Sequence, residues 1–220
     1  MFYITQDRII WYNSITCICS ALMCGRICTE NLERIVMKLY FYYGVMGSSK
    51  SANCLMTKFN FEEHGQKVVL MKPSIDTREG ANIVKSRAGL SAPARLIDPD
   101  ASIIDMIKGE NPDIIMIDEA QFLQPWQVDE LRELADNGIR VFCYGLRADF
   151  RSKAFPGSLR LFEVCDTMRE LVSMCKCGKK ATMNVRYADG KIVYDGEQIV
   201  IGGSEQYTSL CHRCWKEGRL

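Results

Sequence analysis

The chain has 220 residues, of which 47% are hydrophobic and 25% are charged, and its formal net charge is +1. This is the composition of a globular protein and excludes a disordered, collagen-like or low-complexity chain. The small net charge disfavours a strongly basic nucleic-acid-binding protein. The length suits one large domain, or one domain with a small appendage. The 11 cysteines are too few for a disulfide scaffold, and an odd number cannot pair completely within one chain.

The N-terminal segment, residues 1–36, differs in character from the rest of the chain. Its apolar stretch, Ile9–Met23, is too short and too interrupted by polar residues for a membrane-spanning helix, and no small-x-small cleavage site follows it. A targeting segment, an appended structural arm and a mis-assigned start remain open. We favour the last, because Met37 directly precedes the first predicted strand and the codons of Glu33–Arg34 can form a ribosome-binding site. Residues 1–36 are therefore predicted to be a non-native or disordered extension.

A glycine-rich segment follows this first strand. Residues 38–43 form an apolar, aromatic run typical of a buried strand, and residues 52–64 have the length and apolar anchors of a helix. Between them, Gly44–Ser51 reads GVMGSSKS. A strand, a glycine-rich loop ending in Lys-Ser and a helix form a phosphate-binding loop, in which backbone N–H groups and the helix N-terminus bind phosphates. The alternative is a Ser/Gly-rich turn.

The last residues of this loop carry its chemistry. Lys50 would neutralise phosphate charge, and the Ser51 hydroxyl would ligate Mg²⁺. Ser49 stands where the usual pattern has glycine. A serine there strains the backbone if the position requires a left-handed conformation.

The following elements alternate between strand and helix. In chain order we predict a strand at Lys67–Met71, a mobile flap at residues 74–92, a helix at Asp100–Lys108, a strand at residues 113–118, a helix at Trp126–Asn137 and a strand at Ile139–Tyr144. Such alternation predicts an α/β fold with a parallel sheet and right-handed crossovers.

An acidic pair ends the predicted strand at residues 113–118. The run is continuously apolar before Asp118 and Glu119, which is typical of a parallel strand buried on both faces. Carboxylates at the C-terminal end of such a strand point into the crevice where α/β proteins bind ligands. Asp118 would then hold Mg²⁺ and Glu119 would act as general base. The alternative is a solvated pair of loop carboxylates.

Two close cysteine pairs lie near the C-terminus, Cys175-x-Cys177 and Cys211-x-x-Cys214. Four thiolates converging from two short turns are typical of a structural zinc site. Two disulfides are disfavoured, because the predicted phosphate-binding loop indicates an ATP-using enzyme, which we expect in the reducing cytosol. A nucleic-acid-binding ribbon is disfavoured because residues 178–210 lack a dense basic and aromatic surface.

Together these motifs resemble the type II thymidine kinase family of bacteria, animals and poxviruses. The resemblance covers residues 37–218. It rests on GVMGSSKS, on KPSIDTR at Lys72–Arg78, on SRAG at Ser86–Gly89, on DEAQF at Asp118–Phe122, on YGLRADFRSKAFPGS, on Ile201–Gly203, and on Tyr207 shortly before Cys211-x-x-Cys214. It implies a P-loop parallel sheet with flanking helices in a kinase domain at residues 37–170, and a small zinc-bound lasso domain at residues 171–220 that closes over the nucleoside.

The resemblance also implies roles for individual residues. The ATP- and phosphate-binding residues would be Gly44, Val45, Met46, Gly47, Ser48, Ser49, Lys50, Ser51, Asp76, Arg78, Asp118, Glu119, Ala120 and Gln121, with Glu119 as the catalytic base. The nucleoside-binding residues would be Met46, Phe122, Leu146, Phe150, Gln198, Ile199, Val200, Ile201, Gly202 and Tyr207. Cys175, Cys177, Cys211 and Cys214 would bind structural Zn²⁺, and Mg²⁺ would accompany ATP.

The implied function is transfer of the γ-phosphate of ATP to thymidine or deoxyuridine in a cytoplasmic homotetramer, without nucleic acid or membrane as a partner. The family normally has glycine where this chain has Ser49, so ATP affinity or turnover is expected to be reduced. Three alternatives stay open. The chain could be a P-loop ATPase without a small-molecule acceptor, a non-catalytic zinc module that binds nucleotide, or a kinase for another pyrimidine deoxynucleoside.

Overall fold

The computed structural model describes residues 38–76, 80, 82–198 and 206–220, which all belong to one compact unit, Val36–Leu220. The predicted extension at residues 1–36 lies outside these described ranges, and so do the candidate site residues Arg78 and Ile199–Gly202. The predictions made for them stay predictions.

A six-stranded, wholly parallel sheet forms the centre of the molecule. Its order is β5-β2-β6-β7-β1-β8. The bounds are β1 Leu39–Tyr43, β2 Val68–Pro73, β5 Arg95–Ile97, β6 Ile114–Ile117, β7 Arg140–Gly145 and β8 Thr167–Glu170. The predicted parallel α/β sheet is therefore confirmed.

Helices cover both faces of this sheet. They are α1 Lys50–Glu63, α2 Ile103–Met106, α3 Pro125–Asp136 and α4 Pro156–Val164, with a 3₁₀ turn at Ala120–Phe122. Ile115 and Ile117 of β6 pack into one core cluster together with residues of α3 and α4, whereas Ile114 and Met116 pack into another together with residues of α1. All four β6 side chains are fully buried. Because successive strand residues point to opposite faces, this two-sided burial explains the uninterrupted apolar run.

The predicted flap contains a regular hairpin. Strands β3 (Ile83–Lys85) and β4 (Ser91–Pro93) pair antiparallel, and Val84 packs into the same core cluster as α1. Residues 77–79 and 81 of this segment lie outside the described ranges. The hairpin was not predicted, because its apolar side chains are too few to produce a strand pattern.

A smaller module follows the sheet. It contains the pair β9 (Ser173–Met174) and β10 (Lys180–Ala181), the antiparallel strands β11 (Met183–Ala188), β12 (Lys191–Val193) and β13 (Gln206–Leu210), and helix α5 (His212–Lys216). Its core includes Met183, Val185 and Leu210, and also Val45 from the glycine-rich loop. The module therefore packs directly against the loop that follows β1.

Across the described ranges, none of the helices is both long enough and apolar enough to cross a lipid bilayer.

Gly157, in the first turn of α4, allows this helix to approach the segment that follows β6. A Cβ atom at Gly157 would lie 2.6 Å from the Leu123 carbonyl oxygen and 2.9 Å from that of Ala120. We expect Gly157→Ala to lower the free energy of unfolding by about 1–3 kcal/mol because backbone must move, although alanine is the better helix former. Thermal unfolding measures this. Leu159→Ala, at a half-exposed position of the same helix, is the control and should change stability by about 0.5 kcal/mol or less.

Candidate active site

A cavity of about 410 Å³ opens at the C-terminal ends of β1, β2, β6 and β7. Residues from several separate sequence motifs line it, among them Met46, Lys50, Lys72, Asp118, Glu119 and Tyr207. Parallel strands bring these residues to one edge of the sheet because their carboxyl ends all meet there. The volume falls within the range of small-molecule sites.

The glycine-rich loop has the backbone conformation that its sequence predicts. Gly47 has φ 76°, and Ser49 has φ 59° and ψ 29°, which is left-handed. Ser49 precedes the first residue of α1 and makes no side-chain capping bond. The position therefore requires the conformation that glycine adopts without cost, and serine occupies it under strain.

Lys50 folds back onto the loop that it ends. Its Nζ donates a hydrogen bond to the Val45 carbonyl oxygen at 2.9 Å, and the side chain is 8% exposed. The ammonium group is thus already inside the cavity, beside the loop whose N–H groups would bind phosphates. A bound anion would replace carbonyl oxygens as its partner.

Asp118 is a buried carboxylate at the end of β6, with 4% exposure. Burial, and then the negative charge of Glu119, raise its pKa from 3.8 to about 7, while hydrogen bonds from Ser51 and from the Glu119 backbone partly oppose the rise. Its Oδ1 has no hydrogen-bond partner in the part of the chain that the structure describes. Because Ser51 lies beside this carboxylate, the pair fits a divalent cation, which prefers oxygen ligands.

Glu119 is held by its neighbours in a strained conformation. It has φ 54° and ψ 37°, which costs on the order of 1–3 kcal/mol for a non-glycine residue. The Gln121 amide nitrogen donates to Glu119 Oε2 at 2.5 Å, while Gln121 Oε1 accepts the Leu146 N–H at 2.9 Å. Gln121 therefore ties the Glu119 carboxylate to the end of β7. The contact with ATP that the sequence analysis assigns to Gln121 stays a prediction.

Lys72 is a site residue to which the sequence analysis assigned no role. It is the last residue but one of the apolar strand β2, is 1% exposed and lines the cavity. Its Nζ lies 3.5 Å from Asp76 Oδ2 and donates to the Gly80 carbonyl oxygen at 2.8 Å. The sequence signal that could have identified Lys72 is a lysine near the carboxyl end of a buried parallel strand.

Asn184 of β11 is a second residue that the sequence analysis missed. Its Oδ1 accepts the Met46 N–H at 2.8 Å, and its Nδ2 donates to the Ala148 carbonyl oxygen at 2.6 Å. Asn184 therefore joins the small module to the glycine-rich loop. No pattern in the sequence of β11 points to this contact.

The predicted nucleoside-binding residues are only partly brought together. Met46, Leu146 and Tyr207 line the cavity. Phe122 packs edge-to-face against Phe155, with ring centroids 5.7 Å apart, and does not line it. Phe150 does not line it either and is 2% exposed. The roles of both phenylalanines stay predictions.

The four C-terminal cysteines form a cluster that could hold a metal ion. The Sγ atoms of Cys175, Cys177, Cys211 and Cys214 all lie within 4.8 Å of one another. A tetrahedral ion with metal–sulfur bonds of about 2.3 Å requires sulfur–sulfur separations of about 3.8 Å, so the arrangement fits. Burial raises the pKa of the Cys175 thiol, but hydrogen bonds from the backbone of Cys177 and Cys211 outweigh this effect and lower it to about 6.

The fold and the cavity together define an α/β protein of the P-loop class. A family model described as thymidine kinase matches residues 37–215. Thymidine kinases of Yersinia pseudotuberculosis and Escherichia coli O157:H7 are 42% and 43% identical to this chain over 186 residues, which cover 82% of this chain and 95% and 91% of theirs. The chain belongs to the thymidine kinase family.

Similarity to solved structures is weaker. A crystal structure of Pif1 helicase from Candida albicans is 15% identical, covers 70% of this chain and 40% of that chain, and has a TM-score of 0.37. That score is too low to support any inference about this protein.

The raised pKa of Asp118 predicts a pH-dependent stability. The folded state binds a proton on the Asp118 carboxylate more tightly than the unfolded state does. In the absence of a cation, the free energy of unfolding should therefore fall as pH rises from about 4 to 7. We expect Asp118→Asn to abolish this component. At pH 8 in magnesium-free buffer, the variant should be more stable by on the order of 1–3 kcal/mol, since each pKa unit corresponds to about 1.4 kcal/mol.

Denaturant titrations at pH 5 and pH 8 measure this difference. The gain should be larger at pH 8, where the wild-type carboxylate is charged. An equal gain in stability for Asp118→Asn at both pH values would show that the charge on Asp118 does not destabilise the folded state.

Proposed function

We propose that this protein is a thymidine kinase. It transfers the γ-phosphate of ATP to the 5′-hydroxyl of thymidine, or of deoxyuridine, and produces the nucleoside monophosphate in pyrimidine deoxynucleoside salvage. One observation carries the proposal: Glu119, held by Gln121, lines the same cavity as Lys50 and Asp118. A general base, a phosphate-neutralising cation and a metal-binding carboxylate are the groups that phosphoryl transfer to a hydroxyl requires.

The residues divide the reaction between them. The N–H groups of Gly44–Ser51 and the N-terminus of α1 bind the triphosphate, and Lys50 exchanges its bonds to loop carbonyls for phosphate oxygens. Glu119 accepts the proton of the 5′-hydroxyl as its oxygen attacks the γ-phosphorus. The bond between the γ-phosphorus and the bridging oxygen breaks, and ADP leaves.

Ser51 and Asp118 would hold Mg²⁺. The buried Asp118 Oδ1, which has no hydrogen-bond partner among the described residues, supports this assignment. Mg²⁺ supplies charge neutralisation on the phosphates when bound. Asp76 lines the same cavity, and Arg78 is proposed to lie near the transferred phosphate.

Met46, Leu146 and Tyr207 would form the wall around the base, since they line the same cavity as Glu119. Five further residues, Gln198, Ile199, Val200, Ile201 and Gly202, belong to the proposed lasso, whose backbone would hydrogen-bond the base edge. Phe122 and Phe150 are proposed to flank the base. Backbone groups that pair with only one base edge penalise other bases, because a buried unpaired group costs more than a lost contact.

The cysteine cluster would hold a structural Zn²⁺ ion. Its four thiols come from the turn between β9 and β10 and from the junction of β13 and α5, which are distant in sequence. A metal that joins these two turns makes the small module rigid, and its free energy of binding contributes to folding. Four reduced thiols and use of ATP support a cytoplasmic location. We also propose a homotetramer that acts without nucleic acid or membrane.

The function is tested by measuring phosphate transfer from ATP across a panel of nucleosides, with and without a zinc chelator. We expect transfer to thymidine and deoxyuridine, little transfer to cytidine-like or adenine nucleosides, and loss of activity as zinc is removed. Thymidine-independent release of ADP would instead indicate an ATPase.

Glu119→Gln is the matched variant for this assay. It keeps the size of the side chain and removes the base, so kcat should fall about 10²- to 10⁴-fold while ATP still binds. ATP binding with unchanged transfer would exclude Glu119 as the base. ATP binding without transfer in the wild type would indicate a non-catalytic nucleotide-binding module.

The strained backbone at Ser49 predicts that a glycine at this position increases kcat/KM for ATP. Because Ser49 occupies a left-handed position, Ser49→Gly removes a strain of about 1–2 kcal/mol and allows the loop to populate its phosphate-binding conformation more fully. We expect kcat/KM for ATP to rise by up to about tenfold. Ser49→Ala is the control, since it removes the hydroxyl but keeps the strain. An unchanged or lower value for Ser49→Gly would reject the strain.

A further inference from the structure

Arg186 of β11 is a buried cation that does not line the cavity described above. It is 3% exposed, and its guanidinium carbon lies 3.8 Å from the centroid of the Phe150 ring. At this distance the cation is attracted by the face of the ring, and more strongly when both are removed from water.

The same guanidinium group also binds residues 195–197, the segment that follows β12 within the small module. Its Nη1 donates to the Glu197 carbonyl oxygen at 3.1 Å, and its Nη2 lies 3.3 Å from that of Asp195. The planar guanidinium has donors in fixed positions and can bind two carbonyl oxygens while it lies flat on the Phe150 ring. A lysine ammonium cannot reproduce this geometry.

Gly196, between those two carbonyls, leaves room for Arg186. A Cβ atom at Gly196 would lie 2.5 Å from Arg186 Nη2, and the residue has φ +127°. Any side chain at this position would therefore displace the guanidinium or the backbone.

A second set of bonds holds this segment from the other side. Arg151 Nη1 donates to the Gly196 carbonyl oxygen at 2.9 Å, and its Nη2 contacts Asp149 Oδ2 at 3.0 Å. Gln198 Nε2 donates to the same carboxylate oxygen at 3.1 Å. Residues 195–198 are thus fixed between β11 and the loop that follows β7.

Both elements joined by Arg186 contribute to the wall of the cavity. Leu146 lines the cavity and begins the loop that carries Phe150. Tyr207 lines it as well and lies directly opposite Arg186 in the antiparallel pairing of β11 with β13. Arg186 therefore lies opposite one residue of the cavity wall and contacts the loop that carries another, without lining the cavity itself.

We propose that Arg186 is a positioning residue for nucleoside binding. Its guanidinium fixes Phe150 and residues 195–197 relative to β11, the strand that pairs with Tyr207 of β13. Its kinetic consequence rests on the proposed thymidine kinase function. Because its bonds to Phe150 and to residues 195–197 lie on the proposed nucleoside side of the site, the loss of Arg186 should affect nucleoside binding more than ATP binding.

Two variants disturb this arrangement by different routes. Arg186→Lys keeps the positive charge but removes the planar guanidinium, and Gly196→Ala keeps Arg186 but displaces its guanidinium. Gly190→Ala is the matched control, because Gly190 lies in the turn between β11 and β12 with φ +72°, and a Cβ atom there would meet no other atom within 4 Å. It places a side chain at a positive φ in the same module without touching Arg186, although alanine is less strained at +72° than at the +127° of Gly196.

We expect both Arg186→Lys and Gly196→Ala to raise the KM for thymidine about tenfold or more, as is typical for loss of a buried charged hydrogen bond. The KM for ATP should stay within about twofold, and Gly190→Ala should leave both values within the same limit. Equal increases in both KM values, or a Gly190→Ala variant that matches Gly196→Ala, would show a general structural effect and overturn the proposal.

Hydrogen–deuterium exchange of peptides covering residues 195–198 and β13 gives a readout that does not depend on activity. Exchange should increase in Arg186→Lys and Gly196→Ala and stay unchanged in Gly190→Ala. Wild-type protein that lacks transfer to thymidine would reject the proposed function, and the exchange data would still decide whether Arg186 fixes these segments. Unchanged exchange in both variants would overturn the positioning role.

Discussion

The burial of the Asp118 carboxylate is the constraint on which the site depends. The apolar strand β6 delivers this group into the sheet edge, where burial raises its pKa to about 7 and one oxygen has no hydrogen-bond partner within the described part of the chain. Such a group lowers stability unless a cation or a proton compensates it. Its position fits the proposed function, in which Asp118 and Ser51 would hold a magnesium ion.

Backbone strain is concentrated around the same carboxylate. Ser49 and Glu119 both have positive φ angles and both line the cavity. Strained residues persist only where their surroundings hold them. For Glu119 the holding group is Gln121, whose buried amide bridges to the Leu146 N–H at the end of β7. The general-base candidate is thus positioned by the strand ends themselves.

The small module contributes to the site through direct contacts. Val45 of the glycine-rich loop belongs to the module's core, and Asn184 accepts the Met46 N–H. The cysteine cluster lies where β9 and β13 end, so a metal bound there would stabilise the module that carries Asn184 and Tyr207. The glycine-rich loop and the small module are therefore in direct contact through Val45 and Met46.

Much of the fold and site could be read from local patterns. The apolar run before Asp118, the loop Gly44–Ser51 and the spacing of four cysteines are short-range signals, because a buried strand, a phosphate loop and a metal turn each require particular residues at fixed separations. The sequence by itself thus determined the sheet and the family, and it predicted the chemistry of the site. Only the tertiary structure decided which groups Gln121, Lys72, Asn184 and Arg186 contact. Most of these partners are backbone groups, which every sequence supplies, and folding alone brings them within reach.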